Sequence, residues 1–340
     1  MTLDRRAILL GLAAAALAPA GGARADLLEE RALEVRAYSV PFFRNEAGRV
    51  GDLVFRSGVE LQSGDRHFGG FSGLRVREGG RRLVAVSDHG YWLDARLLRD
   101  PSGAIAGLGD VRMAPLLGPN GELLWRNRRF DAEAIAFDGD TAYVGIETVE
   151  EVYAYDFARH DVAGHGRLIR LPEEARLWPN NKGLEALAVL ARPSPLAGAL
   201  IAIAERARPG DDAPTQGFVV TGPRAGAAFD VARTDGFDVT DAAILPNGDL
   251  LLLERRFRVL SGVAARIRRI PGASVAPGAL LDGPVIFEAD WQDPIDNMEG
   301  LSVHVAAGGE VRIVMISDDN YSLLQRTLLL EFALVGERAA

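Results

Sequence analysis

Short apolar runs broken by turn residues recur along this chain at a wide, regular spacing. Five segments align with one another: FSGLRVREGGRRLVAVSDHG from Phe71, AEAIAFDGDTAYVGIET from Ala132, LEALAVLARPSPLAGALIAIAER from Leu184, TDAAILPNGDLLLLERRF from Thr240 and MEGLSVHVAAGGEVRIVMISDDN from Met298. Each opens on a polar residue and a small one, runs on as an aliphatic stretch, turns through Gly, Asp, Asn or Pro, and returns as a second apolar run. Turns such as Gly79-Gly80, Asn247-Gly248 and Gly308-Gly309 supply residues that tolerate positive φ, as tight hairpins require. The returning runs, LVAVSD, LIAIAE and VRIVMISD among them, are too short for helices and rich in Val, Ile and Leu, which predicts buried strands. Each unit is a β-hairpin.

The opening polar positions read as Ser72, Glu133, Glu185, Asp241 and Glu299, spaced 61, 52, 56 and 58 residues apart. That spacing suits a four-stranded blade with its loops, so the pattern predicts an all-β protein, a β-propeller with six blades of antiparallel strands. The sixth blade is expected from strands near 33–42 pairing with 328–334, which would close the ring and hide its edges. Residues 95–125 and 206–232 read as long loops, and 26–32 as a short helix. No linker divides residues 26–340, which form one domain.

Inner strands of a propeller line a central channel, so a residue repeated at one point of successive blades converges on one mouth. Glu133, Glu185, Asp241 and Glu299 therefore gather there, each followed by a small residue: Ala134, Ala186, Ala242 and Gly300. Converging carboxylates repel unless a cation or shared protons intervene. Several hard oxygen ligands suit Ca²⁺, with Mg²⁺ or Mn²⁺ as weaker candidates. A second acidic set, Asp88, Glu147, Glu205, Glu254 and Asp318, closes the following strand of each hairpin. Lys182, Arg206, Arg255 and His89 would place positive charge beside the acids, which suits a small anionic substrate. Ser72 departs from the acidic pattern, so one side of a metal ring is open or served by His89.

The remaining composition narrows the class. The start, with Arg5-Arg6, an apolar run over 7–18 and Ala23-Arg24-Ala25, has the layout of an export signal over residues 1–25. The paired arginines resemble a twin-arginine leader, which implies a periplasmic or secreted protein with no membrane partner after cleavage. Removing a leader with three arginines and one aspartate takes the net charge from −9 to −11, which argues against nucleic acid as a partner. With no cysteine, disulfides, thiolate nucleophiles and thiolate metal sites are excluded. G-x-S-x-G, H-E-x-x-H and P-loop motifs are all missing. A monomer is expected.

The segments FGGFSGL, SDHG, DAEAIAF, NKGLEALAV, DAAILPNGDLLLLERRF, DNMEGLSV and ISDDN resemble the phytase-like family named for "esterase-like activity of phytase", over roughly residues 35–334. The resemblance implies a propeller hydrolase of phosphate esters. On that reading Glu133, Glu185 and Glu299 are metal ligands, Asp241 is a ligand or base, and Arg255 and Lys182 clamp the phosphate. Two other readings stay open: a lactonase or carboxylesterase on the same scaffold, and a non-catalytic periplasmic binding propeller.

Overall fold

The computed structural model describes residues 29–42, 48–210, 212–259 and 261–338. The leader assigned to 1–25 lies outside the described residues. The strands form five sheets, and in each the chain steps outward from an inner strand by antiparallel hairpins. The inner strands are Phe71–Arg77, Ala132–Asp138, Leu184–Val189, Asp238–Ile244 and Asn297–Val305. Each contacts the next and the fifth contacts the first, so the ring is closed. Each of five clusters of buried side chains fills one gap between adjacent blades. Leu253, Ile267, Met298 and Phe332 belong to the gap between the fourth and fifth, and Leu74, Leu93, Ile316 and Leu329 to that between the fifth and first. Burying each such side chain contributes about 1.5–3 kcal/mol, so the blades are held mainly by their faces.

The propeller has five blades, and the expected sixth does not form. Strand Leu53–Ser63 pairs directly with the C-terminal strand Thr327–Arg338, with Val59 opposite Leu329. Val35–Ser39 pairs with Leu53–Ser63 one position further out. Residues 33–42 thus do not pair with 328–334, although Phe42 packs edge-on against Phe332 at 5.3 Å, and both N-terminal strands complete the fifth sheet. Dividing chain length by repeat length overcounts because these two strands add residues without adding a blade. The segments expected as loops carry the outer strands Ile105–Pro115, Thr215–Val219 and Ala228–Val231. Arg31–Ala32, expected as part of a helix, is a strand on the outer edge of the first blade.

All five inner strands share one irregularity: two residues oppose one on the neighbouring strand. The extra residue is Ser72, Glu133, Glu185, Thr240 or Glu299. Such a bulge re-aims a side chain. The next residue is packed against the adjacent inner strand, and a Cβ on Gly300 would stand 2.6 Å from Ile316 Cγ2 and 2.9 Å from Leu74 Cβ. That crowding selects Gly73, Ala134, Ala186 and Gly300.

Candidate functional site

The bulge register corrects the alignment of the fourth blade by one residue. Thr240, not Asp241, occupies the position held elsewhere by Glu133, Glu185 and Glu299. On the next strand the same offset puts Arg255, not Glu254, level with Asp88, Glu147, Glu205 and Asp318. The mouth therefore carries acids from four blades and a cation from the fourth.

The offset decides what Asp241 does. It is fully buried and paired with Arg75 at 2.9 Å. Its carboxylate also accepts from the Ala242 and Leu301 backbone N–H groups. The Arg75 guanidinium donates further to the carbonyls of Leu187, Ala242 and Leu301, so one side chain ties together the inner strands of three other blades across the channel. Burial lifts the Asp241 pKa to about 6 even with Arg75 opposing it. The structure places Asp241 in this plug and away from the acidic mouth. Glu254 is likewise occupied, accepting from Arg266 at 2.6 Å and from Arg268 at 2.9 Å.

The mouth itself is crowded with carboxylates. Oxygens of Asp131, Glu133 and Glu147 lie within 4.8 Å of one another, as do those of Glu147, Glu185 and Glu205. Glu147 belongs to both triads. Glu133 and Glu185, each 8 % exposed, make no hydrogen bond or ion pair among the described residues. Glycine makes room for this packing: a Cβ on Gly183 would sit 1.8 Å from Glu150 Oε1. Instead the Gly183 N–H donates to Glu147 at 2.7 Å and the Leu184 N–H to Glu150 at 3.0 Å.

Glu299 faces the same mouth but is differently engaged. It accepts from Arg255 and from Asn297 Nδ2, each at 2.7 Å. Lys182 Nζ donates to both Glu205 oxygens at 2.6 Å. Arg206 donates to the buried Asp238, at 3.1 Å through Nε. His89 stands at the rim, its ring stacked 4.0 Å from that of Tyr321. The expected set of Glu133, Glu185 and Glu299 thus shares one mouth, but among the described residues the oxygens group as two triads built on Glu147, with Glu299 held by Arg255.

Burial and mutual repulsion raise the pKa values. Glu133 and Glu185 are pushed well above the carboxylate range by burial, then by Glu299 and Asp131 for the first and by Glu133 and Glu205 for the second. Burial raises Glu147 to about 7 and Glu150 to about 9. Burial, with the neighbouring charges, lifts Asp88 to about 8 and Asp318 to about 9. Burial opposes the charge on Arg255, but Glu299 and Glu205 outweigh it and hold the guanidinium protonated. Near neutral pH the mouth must therefore bind protons or a cation.

Asp131 had no repeating signal, since it precedes its inner strand, where it holds a φ of 70°. Arg75, on the channel side of the first inner strand, was equally silent.

A closed ring of antiparallel blades around an acid-lined channel mouth is a β-propeller with a polar axial site. The family described as phytase-like, esterase-like activity of phytase, matches residues 66–321, and the chain belongs to it. No curated protein matches the sequence. Among solved structures the chain is similar to the β-propeller domain of Cps50 (Swd1) from Myceliophteria thermophila, at 10% identity over 88% of this chain and 100% of that one, with a TM-score of 0.35. It is also similar to the PQQ-bound aldose sugar dehydrogenase of Streptomyces coelicolor, at 10% identity over 88% and 98% of the two chains, with a TM-score of 0.40. Likeness at this level carries no inference about chemistry.

Proposed function

We propose that this chain is an exported hydrolase of phosphate esters that works with a divalent cation, Ca²⁺ in the first place, at the acidic mouth. The observation that carries the reading is the pair Glu133 and Glu185, nine-tenths buried and without a donor, each in a triad of carboxylates. Buried charges of that kind need a partner, and hard oxygen donors fit Ca²⁺. Asp131, Glu133 and Glu147 would hold it, with Glu185 and Glu205 as a second set sharing Glu147. Bound there, the cation would offset phosphoryl charge and lower the pKa of a nearby water.

The chain's own groups supply the rest. Arg255, held by Glu299, presents a fixed cation from the fourth blade, suited to orienting an anionic head. Asp88, lifted to about 8, keeps its proton at neutral pH and can give it to a leaving oxygen. The water oxygen bonds to phosphorus as the ester P–O bond breaks; the alcohol leaves with the proton from Asp88, and a proton from the water restores it. The leader pattern of residues 1–25 supports export, and among the described residues no helix is long and apolar enough to cross a membrane.

The test uses purified protein freed of metal with EDTA, then given Ca²⁺, with 4-nitrophenyl phosphate, bis(4-nitrophenyl) phosphate and a sugar lactone as substrates. Phosphate ester turnover that needs Ca²⁺ and is lost in Glu133→Gln is the expected result. Opening of the lactone alone would reassign the site to a lactonase. Absence of turnover on all three would favour a binding propeller.

A further inference from the structure

Beside the acidic mouth lies a cavity of about 680 Å³, within the size range of small-molecule sites. Its walls are aromatic: Phe68, Tyr91 and His89 from the first blade, Trp125 and Phe130 from the loop leading to the second, and Tyr321 from the fifth. His89 and Tyr321 lie flat on each other, 9° from parallel. Phe130 is 41 % exposed, and Leu323 stands fully exposed at the rim.

The cavity and the mouth share a wall. A Cβ on Gly70 would meet Asp88 Oδ1 at 2.2 Å and Tyr321 Cε2 at 2.5 Å, so carboxylate and ring both crowd the space that this glycine leaves open. Asp319, which lines the cavity, accepts the Gly70 N–H at 3.0 Å.

The polar lining is largely spoken for. His67 bonds to Asp65, Ser322 accepts from Leu324, and Asp319 accepts from Gly70, Tyr321 and Thr327. Trp125 Nε1 and the Tyr321 hydroxyl are both buried without a hydrogen-bond partner, so neither is presented to a guest. A polyhydroxylated guest would find too few partners for its hydroxyls, and burying them unpaired is costly. A flat, apolar ring matches the aromatic faces. Arg66 and Asp319 both line the cavity, one charge of each sign.

We propose that this aromatic cleft is the subsite for the leaving group of an aryl ester, whose anionic head lies at the acidic mouth. This rests on the hydrolase reading above. The ring would stack among Trp125, Phe130 and Tyr321.

Two measurements separate the cleft from the hydrolase reading. The first is calorimetric or NMR titration of the full chain in EDTA with phenol as the probe, comparing wild type with Trp125→Ala and Phe130→Ala. Binding by the wild type that weakens at least tenfold in Trp125→Ala is expected, with a smaller loss in the exposed Phe130→Ala. The second, with Ca²⁺, is the ratio of kcat/KM for phenyl phosphate over glycerol phosphate, expected to exceed ten and to fall toward one in both variants. Phenol binding without turnover of either ester would uphold the cleft and remove the hydrolase. Equal turnover of the two esters with no phenol binding, or binding unaltered in both variants, would overturn the cleft and leave the hydrolase standing.

Discussion

Changing Glu147 to Gln isolates the charge at the centre of the acidic mouth. Glu147 accepts the Gly183 N–H at 2.7 Å, and a glutamine Oε1 can keep that bond while removing the charge. Burial lifts its pKa from the ordinary 4.5 to about 7. Because the folded value is the higher one, its contribution to stability is complete below the unfolded pKa and is lost as pH rises through about 7. At pH 8, above both values, ionising it costs the metal-free fold about 3 kcal/mol. Part of that will relax, so Glu147→Gln in EDTA at pH 8 should be more stable than wild type by about 1–3 kcal/mol. For a chain of this length that is about 2 °C in Tm per kcal/mol. Near pH 5 the gap should shrink below about 1 kcal/mol. Added Ca²⁺ should close or invert the gap: at 100 times Kd it would stabilise wild type by about 2.7 kcal/mol, whereas the variant would lack the residue common to both triads. Calorimetric melts in EDTA and in Ca²⁺ at the two pH values read all four states. A variant that melts at or below wild type in EDTA at pH 8, with an undiminished Ca²⁺ shift, would refute both the buried charge and the shared ligand.

Asp241→Ala strands the Arg75 guanidinium in the channel and should cost about 3–5 kcal/mol in urea unfolding; wild-type stability would show that the plug is not energetically coupled. Deleting residues 328–338 removes the strand that joins Leu53–Ser63 to the fifth blade, so the product should aggregate, and a soluble, cooperatively melting truncation would contradict the closure. Ca²⁺ binding at pH 7 should release protons, and its affinity should rise from pH 6 to pH 9 as the raised carboxyls ionise; a pH-independent Kd would count against ligation by them. Replacing Arg5 and Arg6 by Lys should retain the precursor in the cytoplasm if export reads the arginine pair, and undiminished periplasmic yield would point to another route.

The propeller was legible because hairpins announce themselves twice, through turn residues and through the burial period of the strands between them. Blade number was not, because the strands that close the ring sit at opposite ends of the chain and carry no repeat of their own. Pairing between Leu53–Ser63 and Thr327–Arg338 is fixed by register across nearly the whole sequence, which local pattern does not encode. Glu133, Glu185 and Glu299 were found because they recur at the bulge; Asp241 was misplaced because it stands beside a threonine, and an alignment guided by acidity prefers the acid. The aromatic cleft gave no signal at all. Its rings come from the first blade, the loop leading to the second and the fifth blade, without periodicity, and only the fold brings them together.

That single offset in the fourth blade shapes the site's electrostatics. Five blades with acids at both positions would ring the mouth with like charges, and repulsion would leave no side of the channel distinct from another. Thr240 and Arg255 break this symmetry in the fourth blade, and Ser72 weakens it in the first. The unpartnered carboxylates consequently concentrate on the second and third blades, where both triads lie. Arg255 and its hold on Glu299 at 2.7 Å occupy the fourth and fifth, and the aromatic cavity opens between the fifth and first. A cation held by the second and third blades and the guanidinium of the fourth would then bracket an anionic head from two sides. The remaining open side is the one lined with rings, so on the proposed reading the direction in which an ester would point follows from which blades kept the repeat and which departed from it.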